Sequence, residues 1–165
     1  MNSSLSMNFS VDKKNRKITV EREFAASLSQ VWAAWTRSDL LDQWWAPKPW
    51  KAKTKLMNFT EGGYWLYAMV GPEGETHWAR MDYQSIKALK EFTAMEGFCD
   101  SQGVITQELP QNKWHTRFNQ AAEATLVLIE LTFDSLADLE KILEMGFKEG
   151  FSSALENLDE LLQTT

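Results

Sequence analysis

Glu96 is the residue whose place in the sequence points most clearly to chemistry. It lies in the segment 91–98, E-F-T-A-M-E-G-F, where strand-like alternation puts it on the same face as Phe92 and Phe98. If that face is the interior, burial disfavours the charged carboxylate and raises its pKa. Such a group could orient a polar part of a ligand or act as an acid or base. A bulge that turns Glu96 to solvent is the alternative, and the sequence leaves both open.

Other residues that could support catalysis or metal binding are few and scattered. The two histidines, His77 and His115, form no H-E-x-x-H motif, and Cys99 is the single cysteine, so no C-x-x-C pair exists. A zinc site needs several converging ligands, and the sequence offers no cluster of them. Gly62 and Gly63 begin a strand and do not match a nucleotide-binding loop. The sequence therefore predicts no catalytic residue, no metal site and no cofactor.

Composition and charge argue against several classes of partner. The 165 residues carry a net charge of −6, and no basic stripe exists that could neutralise a nucleic-acid backbone. No segment approaches the roughly 20 apolar residues of a membrane span, and the N-terminus lacks the apolar core of a signal peptide. A single cysteine cannot form an internal disulfide, which fits a reducing compartment. We therefore expect a soluble, cytoplasmic protein that binds neither nucleic acid nor a membrane.

Hydrophobic periodicity predicts an α+β fold. Residues 17–24 alternate as a strand, and Ser27 with Gln30 can form a capping box that starts a short helix. A second short helix starts at Ser38 and must stop by Ala46, because two prolines follow. Together with the first, the predicted strands give a curved antiparallel sheet of about six or seven strands; the later ones cover residues 52–59, 64–70, 77–86, 91–98, 114–120 and 125–133.

The C-terminal segment changes its hydrophobic period from two to 3.6. From Ser135 to Leu162 an apolar stripe predicts a long helix packed across the sheet. Gly146 and Gly150 lie four residues apart on one face of it, and each costs a helix about 1 kcal/mol relative to alanine. Either the glycines allow close packing of the helix on the sheet, or they leave space for a bound molecule.

The predicted elements form one domain. No internal repeat and no low-complexity linker divides the sequence, so a single domain is expected over residues 16–165. Residues 1–15 are rich in serine and asparagine and lack periodicity. They are expected to form a flexible N-terminal tail or an edge segment.

Several sequence motifs, in this order, resemble one branch of the START/SRPBCC superfamily, the family related to the activator of the heat-shock protein 90 ATPase. The resemblance runs from about residue 16 to residue 162, in the form of a stand-alone single domain. Its opening signature, third strand and turn, and closing strand and helix are matched by F-A-A-S-L-S-Q-V-W-A-A-W-T (24–36), L-L-D-Q-W-W-A-P (40–47), E-G-G-Y-W (61–65), M-V-G-P-E-G-E (69–75), L-T-F-D (131–134) and L-E-M-G-F-K-E-G-F (143–151).

The resemblance implies a helix-grip fold, as in the birch-pollen allergen, with lipids, sterols, polyketides or other apolar molecules bound under the long helix. Some members are cyclases or hydrolases, and many of this branch have no established activity. The activator itself contacts the chaperone with the help of a further N-terminal domain, which this sequence does not show, so co-chaperone activity is not inferred. Where similar proteins carry a glycine in the fourth strand, this chain has Met81, which predicts a smaller or differently shaped pocket if it faces the cavity.

Following the family pattern, we take the strand face that carries Trp65 as the inner face of the sheet. Alternation then selects the inward side chains of each strand, and the C-terminal helix adds its glycines and phenylalanines. The predicted ligand-binding residues are Trp65, Tyr67, Met69, His77, Met81, Tyr83, Phe92, Glu96, Phe98, Trp114, Gly146, Phe147, Gly150 and Phe151. The same side chains could instead simply fill the interior.

Three functions follow in order of preference. The aromatic inner face and the helical glycines favour the binding of a small hydrophobic or aromatic molecule without covalent chemistry. A chaperone-associated or stress-response interaction protein is the second, and it predicts a contiguous exposed patch. A cyclase- or hydrolase-like enzyme is the third, and it requires Glu96, His77 or a tyrosine to converge in the pocket. An edge strand could support a homodimer, although nothing in the sequence requires one.

Overall fold

The computed structural model of the protein describes residues 7–164. Within this range no helix is both long and apolar enough to cross a membrane. The elements in chain order are β1 (Met7–Asp12), β2 (Lys17–Phe24), α1 (Leu28–Thr36), α2 (Ser38–Trp44), β3 (Lys51–Met57), β4 (Tyr64–Val70), β5 (Thr76–Lys87), β6 (Glu91–Cys99), β7 (Asn112–Ala121), β8 (Ala124–Phe133), α3 (Leu136–Glu144) and α4 (Phe147–Gln163).

The eight strands form one antiparallel sheet in the order β1-β2-β8-β7-β6-β5-β4-β3. From β3 to β8 each strand pairs with the next in the chain, and β2 closes onto β8. The register shifts between Thr54 and Leu56 in β3, and between Tyr83 and Ser85 in β5. Such bulges bend a strand and increase its twist. The α+β helix-grip fold expected from the sequence is confirmed, with one strand more than expected.

The additional strand is β1, which lies at the edge of the sheet. It pairs with β2 from Met7↔Arg22 to Asp12↔Lys17. Residues 1–15 were expected to form either a flexible tail or an edge segment. For residues 7–12 the edge segment is correct and the flexible tail is wrong. The preceding residues, 1–6, lie outside the described part of the chain.

Alternation along the strands gives the sheet one buried face. In β8 the residues Thr125, Val127, Ile129, Leu131 and Phe133 are buried, whereas the residues between them are at least partly exposed. The same pattern in β2 and β7, and in β6 as far as Ala94, continues this inner face across the sheet. Because successive side chains of a strand point to opposite sides, one buried face on each strand gives the helices a continuous apolar surface to cover.

Helices α1 and α2 cover one end of the inner face. The predicted capping box is present: the Ser27 hydroxyl accepts a hydrogen bond from the Gln30 backbone N–H, and the Gln30 side chain accepts one from the Ser27 N–H. The Trp44 indole N–H donates to the Ala34 carbonyl at 2.9 Å and holds the two helices together. Asp42 accepts from both the backbone N–H and the hydroxyl of Thr54, which fixes α2 against β3.

The C-terminal helical segment is divided at Gly146, which corrects the single helix expected from the sequence. Gly146 has φ +89°, a left-handed conformation, and stands between the end of α3 and the start of α4. Glycine adopts this conformation without the steric cost that a Cβ brings. The apolar stripe continues through the break, so both helices still turn their apolar sides to the sheet. The break places residues 145–147 as a corner above the sheet.

The long helix α4 is fastened to the region after α2 by a buried amide. Asn157 is 9% exposed, and its Nδ2 donates to the carbonyl of Ala46 at 2.9 Å and to that of Trp44 at 3.4 Å. These two carbonyls belong to the last residue of α2 and to the second residue after it, where no helical N–H remains to bond them. The amide therefore sets the distance between α4 and the α2–β3 connection.

Candidate functional site

A cavity of about 510 Å³ lies between the inner face of the sheet and the corner where α3 meets α4. Its walls come from the end of α2 and the following connection, from β4, β5, β6 and β7, and from the two C-terminal helices. Most of the lining is apolar. The lining residues are Trp45, Pro47, Trp50, Tyr67, Met69, His77, Trp78, Ala79, Glu96, Phe98, Leu109, Asn112, Trp114, Ile142, Met145, Gly146, Phe147, Gly150 and Phe151.

Small residues on both sides explain why this space stays open. Ala79 faces inward on β5 between two large cross-strand neighbours, Tyr67 and Phe98. Its small side chain leaves a depression in the sheet surface at this point of the cavity. On the helix side, a Cβ added to Gly146 would meet no atom within 4 Å, and one on Gly150 would touch only Pro47, at 3.8 Å. The glycines therefore leave space above the sheet. Of the two explanations that the sequence left open, the geometry favours this one over close packing.

Glu96 stands on the cavity wall, hydrogen-bonded by two aromatic side chains. The Tyr67 hydroxyl donates to one carboxyl oxygen at 3.1 Å, and the Trp114 indole N–H donates to the other at 3.0 Å. Asn112 is the direct neighbour of Glu96 across the β6–β7 pair. The side chain of Glu96 thus faces inward, and the alternative of a bulge towards solvent is excluded.

The protein environment shifts the titration of this cluster. Burial raises the pKa of Glu96 above its ordinary value of 4.5, while the hydrogen bonds from Trp114, Tyr67 and Asn112 act in the opposite direction. Burial, reinforced by the nearby Glu96 carboxyl group, raises the pKa of Tyr67 well above 10.0. Tyr67 therefore remains a hydrogen-bond donor near neutral pH and does not act as a base.

Aromatic pairs frame the cavity. Trp50, in the α2–β3 connection, stacks on His77 of β5 with ring centroids 5.4 Å apart, and His77 is exposed. On the helix side Phe147 stacks on Phe151 at 5.2 Å. His77 therefore belongs to the outer part of the cavity, away from the acid that lies deeper on the wall.

The predicted pocket residues divide into two groups. Ten line the cavity: Tyr67, Met69, His77, Glu96, Phe98, Trp114, Gly146, Phe147, Gly150 and Phe151. The other four, Trp65, Met81, Tyr83 and Phe92, face the same side of the sheet but are at most 3% exposed and surround a void of only about 10 Å³. Met81 thus faces inward, yet it borders this small void and not the cavity.

The four remaining residues lie where side chains fill the interior. Trp45 packs on Trp65 at 5.3 Å between ring centroids, and Phe59 packs on Tyr83 at 4.7 Å and on Phe92 at 5.4 Å. We call this part the packed end, formed by Trp35, Trp44, Trp65, Met81, Tyr83, Phe92 and Phe118. The part around the cavity, formed by Tyr67, Ala79, Glu96, Phe98, Phe147 and Gly150, is the cavity end.

Sequence reasoning missed lining residues that come from connections and strand ends. Trp45, Pro47 and Trp50 belong to the region around the α2–β3 connection, and Asn112 fell in a predicted loop although it starts β7. Ala79 shares the predicted inner face of its strand and could have been selected by alternation alone. The missed residues are Trp45, Pro47, Trp50, Trp78, Ala79, Leu109, Asn112, Ile142 and Met145.

No group of three or more histidine, cysteine, aspartate or glutamate side chains is placed to hold a metal ion within residues 7–164. The second histidine, His115, pairs with Glu91 on the half-exposed outer face of the sheet. Cys99 is buried, and burial raises the pKa of its thiol, which keeps it in the less reactive protonated form. Neither residue lies at the cavity.

The fold and the site define a helix-grip domain with an internal cavity. A family model described as Activator of Hsp90 ATPase homolog 1-like protein matches residues 25–163. Since the match spans most of the chain, the protein belongs to this family, and the family expected from the sequence motifs is confirmed. No curated protein matches the chain.

Solved structures of bacterial proteins show the same fold. A protein from Arthrobacter aurescens is 29% identical with a TM-score of 0.90, over 96% of this chain and 92% of that chain. A protein from Mycobacterium smegmatis is 26% identical with a TM-score of 0.89, over 98% of both chains. A family protein from Silicibacter pomeroyi, 19% identical over 90% of this chain and 98% of that chain with a TM-score of 0.72, shows the likeness of fold alone.

Proposed function

We propose that the protein binds one small hydrophobic or aromatic molecule in the cavity, without covalent chemistry. The observation that carries the proposal is an apolar cavity of about 510 Å³ with one polar cluster on its wall. Ligand sites in proteins are typically clefts of roughly 300–1,000 Å³ lined by apolar side chains and a few placed polar groups. A single buried cysteine fits a reducing, cytoplasmic setting for this binding protein.

The stiffness of the walls supports a preformed site. Phe147, Phe151 and Trp114 contact one another with ring centroids 5.2–6.1 Å apart. Aromatic side chains present large apolar area with few rotatable bonds, so little conformational entropy is lost when a ligand is bound. The ligand can gain buried area without reorganising the core.

The two other functions have less support. An interaction protein is expected to present a contiguous exposed apolar or charged patch. The exposed large apolar residues among those described are spread over β1, β3, two loops and the two ends of α3: Val11, Leu56, Leu89, Val104, Leu136 and Met145. An enzyme requires Glu96, His77 or a tyrosine to converge in the pocket. Glu96 and Tyr67 do meet on the cavity wall, but the raised pKa of Tyr67 keeps its hydroxyl protonated, and His77 stacks on Trp50 instead of joining them.

Titration with a neutral hydrophobic dye, Nile red, tests the proposal. Saturable one-site binding and an increase in melting temperature are expected, because a ligand that binds only the folded state stabilises it. Absence of binding for Nile red, and of any thermal shift across a broad library of hydrophobic compounds, would contradict the proposal.

A matched pair of substitutions locates the binding. Ala79→Leu adds three carbon atoms inside the cavity, whereas Ala137→Leu adds the same atoms at an exposed position of α3. The first is expected to weaken dye binding at least about tenfold, roughly 1.4 kcal/mol, and the second to leave it unchanged. Equal affinity in both variants would place the dye elsewhere.

A further inference from the structure

Among the described residues, the cavity wall has a carboxyl group but no cationic side chain of lysine or arginine to pair with it. The ionisable side chains that face the cavity are Tyr67 from β4, His77 from β5 and Glu96 from β6, while α3, α4 and the α2–β3 connection contribute none to the lining. No lysine or arginine lines it within the described part of the chain. An anionic ligand group would therefore meet a carboxyl group and find no fixed cation.

The donors closest to Glu96 are already engaged. The hydroxyl of Tyr67 and the indole N–H of Trp114 each donate to a Glu96 oxygen. A Tyr hydroxyl has one proton and an indole N–H has one, so neither can donate to a ligand without releasing Glu96. The Glu96 carboxylate, in contrast, has about four acceptor sites, and hydrogen bonds from Tyr67, Trp114 and Asn112 occupy three of them, so it can still accept from a ligand.

Asn112 supplies a second free acceptor. It is 3% exposed, lines the cavity beside Glu96, and its Oδ1 has no hydrogen-bond partner. A buried polar atom without a partner has lost its hydrogen bonds to water without replacement, and a bound donor group would restore one. Asn112 and Glu96 are cross-strand neighbours, so a single donor group placed between them could satisfy both.

We propose that the cavity selects ligands with an apolar body and one hydrogen-bond donor group, an amine above all, held by Glu96 and Asn112. This inference rests on the proposed function and adds the chemical class of the ligand. A protonated amine has several donors and no acceptor, so it matches two adjacent acceptors and provides the cation that Glu96 lacks.

The titration of Glu96 agrees with this selection. Burial raises its pKa, because it disfavours the charged carboxylate relative to the protonated form. A nearby cation favours the charged form and lowers that pKa again. Amine binding therefore favours the deprotonated form of Glu96. The affinity of the protein for the amine is expected to fall as the pH is lowered and the carboxyl group becomes protonated.

Four probes that share a naphthalene ring and differ in their polar group test the proposal. They are the amine 2-(2-naphthyl)ethylamine, the alcohol 2-(2-naphthyl)ethanol, the hydrocarbon 2-ethylnaphthalene and the carboxylate of (2-naphthyl)acetic acid. Dissociation constants are measured at one pH near neutrality by displacement of Nile red. We expect the amine to bind about tenfold or more tighter than the hydrocarbon, since hydrogen bonds to a charged group are stronger than those between neutral groups. The alcohol is expected between them, and the carboxylate is expected to be weakest.

Glu96→Gln is the decisive variant, because it keeps the shape and removes the charge. It should reduce the preference for the amine over the hydrocarbon to less than about threefold and should improve the relative binding of the carboxylate. Glu156→Gln, at an exposed position of α4, is the matched control and should change neither ratio. Asn112→Leu should lower amine affinity with little loss for the hydrocarbon.

The outcomes separate the two proposals. If all four probes bind with similar affinity, or if Glu96→Gln leaves the amine preference intact, the ligand class is wrong and cavity binding stands. If no probe and no dye binds, both proposals fail. The thermal unfolding transition of each variant shows whether it is folded, and binding of the hydrocarbon shows whether its cavity is intact.

Discussion

The packed end and the cavity end share one sheet and one kind of strand surface, yet one is filled and the other is open. Ala94 at the packed end and Ala79 at the cavity end are both inward-facing alanines between large cross-strand neighbours. What differs is the helix side. Trp35 and Trp44 project from α1 and α2 over the first region, whereas Gly146 and Gly150 lie over the second.

The comparison shows that the helices, more than the strands, decide where an interior space exists. A sheet face of alternating aromatic side chains is compatible with either outcome. Close packing requires partner atoms at about 3.5–4 Å, and tryptophans provide them where glycines do not. Phe151 stands between the two regions, in contact with Trp35 at 6.4 Å and Trp114 at 5.5 Å between ring centroids.

The largest difference between the regions is expected for tryptophan removal. Trp44 is 1% exposed and packs on Trp35 and Trp45 at 4.8 and 5.2 Å between ring centroids. Trp44→Ala should lower the free energy of unfolding by about 3–5 kcal/mol. Trp50→Ala, at the half-buried rim of the cavity, should cost about 1 kcal/mol. Urea denaturation measures both, and similar losses would show that the two regions are packed alike.

A smaller difference is expected when the same atoms are added to each region. Ala94 is fully buried between its large cross-strand neighbours Tyr83 and Trp114, so Ala94→Leu should destabilise by about 1–3 kcal/mol. Ala79→Leu places its new atoms in the cavity and should cost less than about 1 kcal/mol. The midpoints of denaturant-induced unfolding of the two variants, compared when the denaturant slopes are equal, measure this difference in stability. A larger loss for Ala79→Leu would mean that the cavity end cannot accept a side chain.

The two glycines that line the cavity, Gly146 and Gly150, should respond to substitution with opposite changes in stability. Gly146 has φ +89°, so Gly146→Ala should destabilise by about 1 kcal/mol. Gly150 is helical, and a Cβ there makes an ordinary contact at 3.8 Å, so Gly150→Ala should stabilise by up to about 1 kcal/mol. Thermal unfolding of both variants measures the sign. Stabilisation by Gly146→Ala would argue that the α3–α4 corner is not held in the left-handed conformation.

The smallest effect is expected in the pH dependence of stability. Because burial raises the pKa of Glu96 above 4.5, the folded protein binds its proton more tightly than the unfolded chain. The contribution of this group to stability is therefore lost as the pH rises from 4.5 through the folded-state pKa. Glu96→Gln should remove that loss, so its stability relative to the unsubstituted protein should increase with pH over this window. A constant difference at every pH would place Glu96 in a water-like environment.

Much of the fold and part of the candidate site can be predicted from local sequence patterns. The alternation in 91–98 correctly places Glu96 on the inner face, and the capping box at Ser27 correctly starts α1. The division of the C-terminal helix does not follow, because Gly146 lies in an unbroken apolar stripe that reads as one helix. The unequal filling of the sheet does not follow either, since Tyr83 and Tyr67 both sit on inward strand positions.

The sequence by itself determined the family, the order of the elements from β2 to β8 and which face of those strands is buried, because these depend on motifs and on periodicity within short segments. Only the tertiary structure decided that Trp65, Met81, Tyr83 and Phe92 lie at the packed end while Tyr67 and Phe98 border a space. It also brought Asn112 beside Glu96. The physical reason is that a cavity is a property of both of its walls, and residues far apart in the chain are paired only when the helices settle on the sheet.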